Sequence, residues 1–433
     1  MIIALSIVAI LGMMGLTIFY PTLHVKSFKF NTFYLPLLFI AIIFLAFPLF
    51  DKTELFESLF TDTPINPLKI LVLFLSISVL SIALDLSGFF AFLSSWAIKR
   101  FHNSQYALFF SLFVLVSLTT IFTSNDIVIL TFTPFIIYLA RHGKISATPY
   151  LVMEFVAGNT FSMLLEIGNP TNIYLSTAFG ITFVDYVKVM AIPTLIIGLF
   201  SIGALLLLFR KRLSKPIEHF DLETKKVEDP FLMWVSLIHL VLTIIFLALS
   251  NFLHFEMWII TLAFAASLTI ILFVYSFIAK KHEVRMVYKR LPYSLAPFIV
   301  SMFVIIMAVD STGLFQQAGS LMSSINNGVL QGISYLVSST IMCNLVNNIP
   351  MSLMFSRILD GSNLVSVYST IVGSNLGALL SPIGALAGIM WMSILKEKGV
   401  NFSFGRFMKY GAKITGIMIV GAIIGVSILP LFI

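Results

Sequence analysis

A polytopic, all-α membrane protein is the fold class this sequence predicts, with about 10 transmembrane helices plus two re-entrant hairpins in two inverted-topology repeats with broken helices. Three observations point there. Hydrophobic residues make up 59% of the 433-residue chain and charged residues 10%, less than half the charge of an ordinary soluble domain. Apolar windows long enough to cross a bilayer recur from end to end. Polar, helix-breaking clusters then interrupt some of those windows near their centres, where lipid-exposed irregular backbone is not tolerated. The alternating pattern of a transmembrane β-barrel is absent.

Taken in order, ten full spans are predicted at about 2–20, 33–50, 67–98, 148–180, 186–209, 231–251, 256–279, 291–322, 364–395 and 407–432. The opening MIIALSIVAILGMMGLTIFY has neither a basic leader nor a small-residue cleavage site and reads as the first span. Two further stretches, 105–140 and 328–356, are interrupted near the middle and read as hairpins that enter and leave on one side. The loops sort by charge. Lys26 and Lys29, Lys99 and Arg100, Arg141 and Lys144, Arg210–Lys215, Lys280–Arg290 and Lys396–Gly399 fall on one side, and Asp51–Asp62, Asp185, Glu256 and Asp360 on the other. By the positive-inside rule the basic side is cytoplasmic, which predicts a multi-pass protein of the cell membrane with both termini outside. The formal charge of +7 is thereby an orientation signal, and nucleic acid is not expected as a partner.

The one long polar connection, Lys211–Pro230, divides the chain into a first repeat, 1–210, and a second, 231–433, and reads as a cytoplasmic linker 211–230. The repeat is visible in three matches that keep their order. DLSGFF (Asp85–Phe90) matches DSTGLF (Asp310–Phe315); TSNDIVILTFTP (Thr123–Pro134) matches NLVNNIPMSLMF (Asn344–Phe355); GNTFSMLLEIGNP (Gly158–Pro170) matches SNLGALLSPIGAL (Ser374–Leu386). An odd number of spans per half inverts the second half in the membrane, the architecture of secondary transporters.

The motifs have ordinary readings beside functional ones. Ser124, Asn125 and Asp126 in the first hairpin, and Asn347 and Asn348 in the second, fall at the tips, where such residues commonly cap helices. A helix that begins inside the membrane also aims unpaired N–H groups at whatever lies there. Gly168, Asn169, Pro170 and Asn172, with Ser381, Pro382 and Gly384, interrupt two apolar helices. A proline kink would not need the Asn and Thr clustered around them. Five acids fall within spans: Asp85, Asp126, Glu154, Glu166 and Asp310. Such groups face cavities, pair or titrate. Asp126 and Glu166 lie within the tip and break motifs and are the leading candidates to couple ions. Asp85 and Asp310 are further candidates, with a capping role at Gly88 and Gly313 as the alternative. Glu154 has no repeat partner and is expected near cytoplasmic water. The single cysteine, Cys343, rules out an intrachain disulfide and a thiolate metal cage and reads as a small packing residue. No metal site or cofactor is expected beyond a transported or coupling proton or sodium ion. Walker A, dinucleotide-binding and HExxH motifs are absent, which argues against a nucleotide-driven motor and an enzyme.

LDLSGFF, the SNDxxxLxxTPF hairpin, GNPTN, the NNIP hairpin and GSNLGALLSPIGALAGIMW followed by KEKG together resemble the arsenite/antimonite permease family. That family belongs to an ion-transporter superfamily that includes citrate and dicarboxylate carriers. The resemblance implies two hairpins whose tips meet a broken helix from each half around a central site. Carried over residue by residue, the site is Ser124, Asn125, Asp126, Gly168, Asn169, Thr171, Asn172, Asn347, Asn348, Ser374, Asn375, Ser381 and Gly384, and Asn159, which the internal repeat aligns with Asn375, joins them. The implied activity is alternating-access transport of a small oxyanion or neutral oxyacid, best read as proton-coupled arsenite or antimonite efflux. Sodium-coupled carboxylate or inorganic anion transport, and sodium/proton antiport, are the alternatives. A channel would use the same interruptions without coupling, and an intramembrane aspartyl hydrolase would need a pair of acids that the spacing does not supply. The expected partners are the lipid bilayer and the small solute, with a homodimer and a soluble ATPase subunit as further partners the resemblance allows.

Overall fold

The computed structural model describes residues 1–20, 22–25, 28–60, 66–101, 104–217, 226–280 and 282–433. Lys26, Asp62 at the end of one acidic loop, Lys281, and 218–225 of the predicted linker lie outside these described residues. The chain is helical because apolar runs in lipid must satisfy their backbone internally. α1 (Ile2–Phe19) runs into a short antiparallel ribbon, β1 (Thr22–Val25) and β2 (Phe28–Asn31), with Thr22 opposite Asn31. This ribbon, where a plain loop was expected, is the departure from an all-α fold among the described residues. α2 (Leu35–Ala46) and α3 (Thr53–Phe60) follow.

The predicted span 67–98 is two helices, α4 (Pro67–Leu86) and α5 (Phe89–Phe101). The turn between them lies at Gly88, whose φ of 81° is a left-handed conformation that side chains resist. The Ser87 carbonyl there accepts from the backbone N–H groups of Glu228 (2.9 Å) and Asp229 (3.2 Å), so the chain entering the second half docks on this turn. The repeat partner behaves alike. The predicted span 291–322 divides at Gly313, φ 77°, into α15 (Leu295–Asp310) and α16 (Leu314–Ser323).

Between these pairs lie α6 (Gln105–Phe122) and α7 (Asn125–His142), the first hairpin, then α8 (Ala147–Phe161), a 3-10 turn at Glu166–Gly168, α9 (Pro170–Ala178) and the long α10 (Phe183–Leu213). α11 (Pro230–Ala248), α12 (Ser250–Leu253), α13 (Met257–Ala279) and α14 (Glu283–Arg290) lead to α15 and α16. The second hairpin is α17 (Gly328–Val346) and α18 (Asn348–Ile358). After it come α19 (Leu364–Gly377), a 3-10 turn at Pro382–Gly384, α20 (Leu386–Glu397) and α21 (Phe404–Ser427). Each half therefore runs through a turned helix pair, a hairpin, a broken helix and a long closing helix.

Among the described residues, nine helical segments are long and apolar enough to cross a membrane, and α6 and α17 are two of them. The 12-residue α2 and the two broken helices, α8–α9 and α19–α20, supply the other expected crossings. Loops assigned to one side by charge contact one another. At the basic face Arg290 pairs with Asp85 (2.7 Å) and Gln105 donates to the Lys215 carbonyl (3.0 Å). At the opposite face Lys69 pairs with Glu256 (2.6 Å) and Arg357 with Glu54 (3.0 Å). The halves meet through close helix packing, with α10 on α21 and α7 on α20, and through an aromatic cluster in which Trp391 of α20 lies 5.4 Å from Phe155 and 4.9 Å from Phe402.

Candidate functional site

The hairpin tips are built by capping. Ser124 caps α7, accepting from the Ile127 N–H (3.4 Å), and Asn347 caps α18, accepting from the Ile349 N–H (3.4 Å). Asn347 holds φ 76° and ψ 155°, outside the left-handed helical region that asparagine tolerates and in one that essentially only glycine adopts, a strained backbone at the tip. These caps place Ser124 with Asn347 and Asn125 with Asn348, two positions away from the pairing that the TSNDIVILTFTP match implies. Each tip is tied to the broken helix of its own half. Asn125 Nδ2 donates to Asn159 Oδ1 (3.1 Å), and Asn347 Nδ2 to the Ile383 carbonyl (2.8 Å). One turn or more behind each tip a threonine repeats the tie: Thr120 donates to the Gly158 carbonyl (3.0 Å) and Thr340 to that of Gly373 (3.3 Å). The side-chain oxygens of Asn125 and Asn348 are buried and accept no hydrogen bond among the described residues.

The helix breaks supply the centre. Asn169 caps α9 through the Thr171 N–H (3.2 Å), and Pro170 takes the first helical position, where its missing N–H costs nothing. Asn169 Nδ2 then donates across the halves to Asn375 Oδ1 (2.9 Å), which also accepts from Ser162 Oγ (3.2 Å). Asn375 Nδ2 donates to Asn172 Oδ1 (2.9 Å), and the hydroxyls of Thr171 and Ser374 lie 3.1 Å apart. Asn375, 1% exposed, is thus the hub of a network that both halves build. Ser381 donates to Asn344 Oδ1 (2.6 Å), and Asn344 Nδ2 to the Gly377 carbonyl (3.0 Å). Gly168 and Gly384 are required by space: a Cβ would lie 2.3 Å from the Ser162 oxygen at the first and 2.7 Å from the Gly377 oxygen at the second.

Two members of this network, Ser162 and Asn344, are absent from the sequence-based set. Each carries a signal in hindsight. Ser162 lies three residues after Asn159, and Asn344 three before Asn347, the spacing that places side chains on one helical face. Lys, Arg and His take no part in the hydrogen bonds of the cluster among the described residues.

The five acids separate by place. Asp126 and Ser124 line a cavity of about 300 Å³ that extends to Arg290 and Glu397 at the basic face, so the first tip communicates with that face. Glu166 is buried in the 3-10 turn, accepting from Ser176 Oγ, and its second oxygen has no partner among the described residues. Glu154 is fully buried and accepts from Thr133 of α7 (2.7 Å), away from the water in which the sequence placed it. Asp85 and Asp310 stand outside the central cluster. Asp85 accepts from Thr131 of the first hairpin (2.9 Å) and pairs with Arg290; Asp310 lies 3.8 Å from Arg357 of the second hairpin and accepts from Gln316 (3.0 Å). Cys343 is buried with its thiol 3.5 Å from the Ser374 carbonyl. A larger cavity, about 480 Å³, opens at the opposite face beside Lys69 and Glu256 and touches none of the network residues.

Residues 1–369 match the family model described as citrate transporter. The chain is 26% identical over 365 residues to an arsenical pump membrane protein of Yersinia enterocolitica, covering 79% of this chain and 82% of the relative. It is 27% identical over 372 residues to an arsenical pump membrane protein of Escherichia coli K12, with the same coverage. A 46 kDa membrane protein of Mycobacterium leprae is 23% identical over 396 residues, 88% of this chain and 90% of that one. In fold, the chain is similar to the Alcanivorax borkumensis YdaH transporter, whose topology is described as unusual: the TM-score is 0.60 at 13% identity, over 100% of this chain and 98% of that one.

Proposed function

The chain belongs to the citrate transporter family and is a membrane transporter, and from that premise we propose that it moves a small neutral oxyacid by alternating access, exporting arsenite or antimonite in exchange for protons. Two inverted repeats, 1–210 and 231–433, joined by the linker 211–230, supply the moving parts in this reading. The substrate occupies the space between the hairpin tips and the breaks, held by Ser124, Asn125, Asn159, Asn169, Thr171, Asn172, Asn347, Asn348, Ser374, Asn375 and Ser381. Asp126 and Glu166 carry the coupling proton.

The observation that carries the proposal is the chemistry of the hub, where amides and hydroxyls from both halves converge without a cation. Arsenite at neutral pH is mostly an uncharged hydroxide whose O–H groups both donate and accept, and amides match both roles. A strongly anionic solute at this buried position would need a compensating charge. The names of the arsenical pump relatives support the same solute. With the basic face cytoplasmic, the cavity from Asp126 to Arg290 corresponds to an inward-facing state.

Sodium-coupled transport of citrate or another anion is the second reading. It is favoured by the family description and by the unpaired oxygens of Asn125 and Asn348, which suit a sodium ion able to offset anionic charge. Everted membrane vesicles distinguish the two. Arsenite should accumulate under an imposed proton gradient, with citrate and phosphate uptake unaffected by sodium. Sodium-dependent citrate uptake without arsenite uptake would replace the first reading by the second. Sodium/proton exchange without either solute would leave antiport. Transport that survives the double substitution of Asn125 and Asn347 by Ala would remove the site.

A further inference from the structure

A second convergence of charge lies at the basic face, where α10 packs on α21. Arg212 from the end of α10 and Arg406, Lys409 and Lys413 of α21 line one cavity of about 310 Å³, with Phe209 and Tyr410 among its walls. The two rings stand 5.4 Å apart and form an apolar floor. Among the described residues, no acidic side chain lines this cavity. Among the same residues, none of the four cations forms an ion pair.

Orientation alone does not account for this arrangement. The positive-inside rule counts charges in loops and does not require that they meet around a cavity. Arg406 and Lys409 occupy the first two turns of α21, the end of a helix where the backbone dipole favours anions and opposes cations. Lys413 is deeper still, roughly 14 Å along the helix axis at 1.5 Å per residue. Its side chain is exposed there, in a span whose surroundings are hydrocarbon. An ammonium at that depth must reach towards the headgroup layer or meet an anion. Leu208, half-buried, adds a further apolar wall to the same cavity.

We propose that this cavity binds the phosphate headgroup of an anionic phospholipid, seated between Arg212 and the Arg406, Lys409 and Lys413 face of α21. Basic pockets between spanning helices are a recurrent site for such headgroups. Because α10 closes the first half and α21 the second, the lipid bridges the two halves away from the solute path.

Native mass spectrometry of the full-length protein in neutral detergent tests this, with phosphatidylglycerol, cardiolipin, phosphatidylcholine and inorganic phosphate added in separate arms. The anionic lipids should be retained over phosphatidylcholine. The double variant Lys409→Gln/Lys413→Gln should retain them roughly 30-fold less, the product of two lost surface charges. Lys409→Arg/Lys413→Arg should restore retention, and Lys289→Gln/Lys396→Gln, which removes charge elsewhere on the same face, should not change it. Equal retention of phosphatidylcholine, unchanged retention in the Gln variant, or binding of inorganic phosphate without lipid would overturn the proposal.

Discussion

Asn375 shows how one side chain can hold two halves of a protein together. Its amide accepts from Asn169 and Ser162 and donates to Asn172. Replacing it by Ala leaves Asn169 Nδ2 and Asn172 Oδ1 unsatisfied, at a cost of about 1–3 kcal/mol for each that finds no new partner, while Ser162 keeps its bond to the Asn159 carbonyl. Asn375→Ala should therefore abolish transport and lower the melting temperature, both measurable on purified, reconstituted protein. Melting unchanged at full transport would show that the network does not support the site. The acids make a sharper pair. Asp126 lines the cavity, whereas Glu154 is sealed between α7 and α8 with Thr133. Asp126→Asn should abolish proton-driven accumulation while leaving substrate counterflow, and Glu154→Gln, which keeps the Thr133 contact, should reduce neither by more than about twofold, within the small effects usual for substitutions that preserve packing. Counterflow and gradient-driven uptake in the same vesicles separate these outcomes.

Most residues of the hub were legible because polar atoms inside an apolar span are costly and so stand out. Ser162 and Asn344 were not, because a small polar residue in a helix resembles any other that bonds its own backbone, as Asn344 also does to the Thr340 carbonyl. The partners of Asp85 and Asp310 were hidden for another reason: Arg290 lies 205 positions from Asp85, and nothing local to DLSGFF reveals it.

At the scale of the element, the turned helix pairs are the least legible feature. The residues directly after Gly88 and Gly313, Phe89-Phe90 and Leu314-Phe315, are apolar and continue the span pattern, so hydropathy sees one long helix where the backbone makes a turn. What gives the turn away is the glycine itself, recurring in both copies. Gly88→Val should cost about 1–2 kcal/mol for the left-handed conformation alone, and more because its Cβ would lie 3.1 Å from the Glu228 nitrogen that docks there. Gly416→Val, with no neighbour within 4 Å of a Cβ, is the control that should melt like the parent. Equal melting of both variants would mean that the turn relaxes without cost. The β1–β2 ribbon was invisible for the opposite reason, since four-residue strands are shorter than any periodicity can establish.

For the whole molecule, charge asymmetry told more than hydropathy. Hydropathy joins broken helices and short spans into uniform segments, whereas the loop charges sort into the same two groups that the contacts bring together. The orientation they imply is testable in a Cys343→Ser background. A cysteine at Lys289 should label with a membrane-impermeant maleimide only in everted vesicles, and one at Asp360 only in right-side-out vesicles. The reverse pattern would invert the protein and make the Asp126 cavity outward-facing.

The acid repeated in DLSGFF and DSTGLF secures each hairpin at its own face, yet its basic partner differs. Arg290 closes α14 and holds Asp85 at 2.7 Å, whereas Arg357 belongs to the hairpin it secures, shares itself with Glu54, and stands 3.8 Å from Asp310. A perfectly symmetric carrier would idle equally in its two orientations. In the proposed alternating-access cycle, unequal clasps would tilt that balance before any solute arrives, so the side on which the empty carrier waits would be set at its rims, and exchange of those surface partners would reverse the waiting side without altering what the centre recognises.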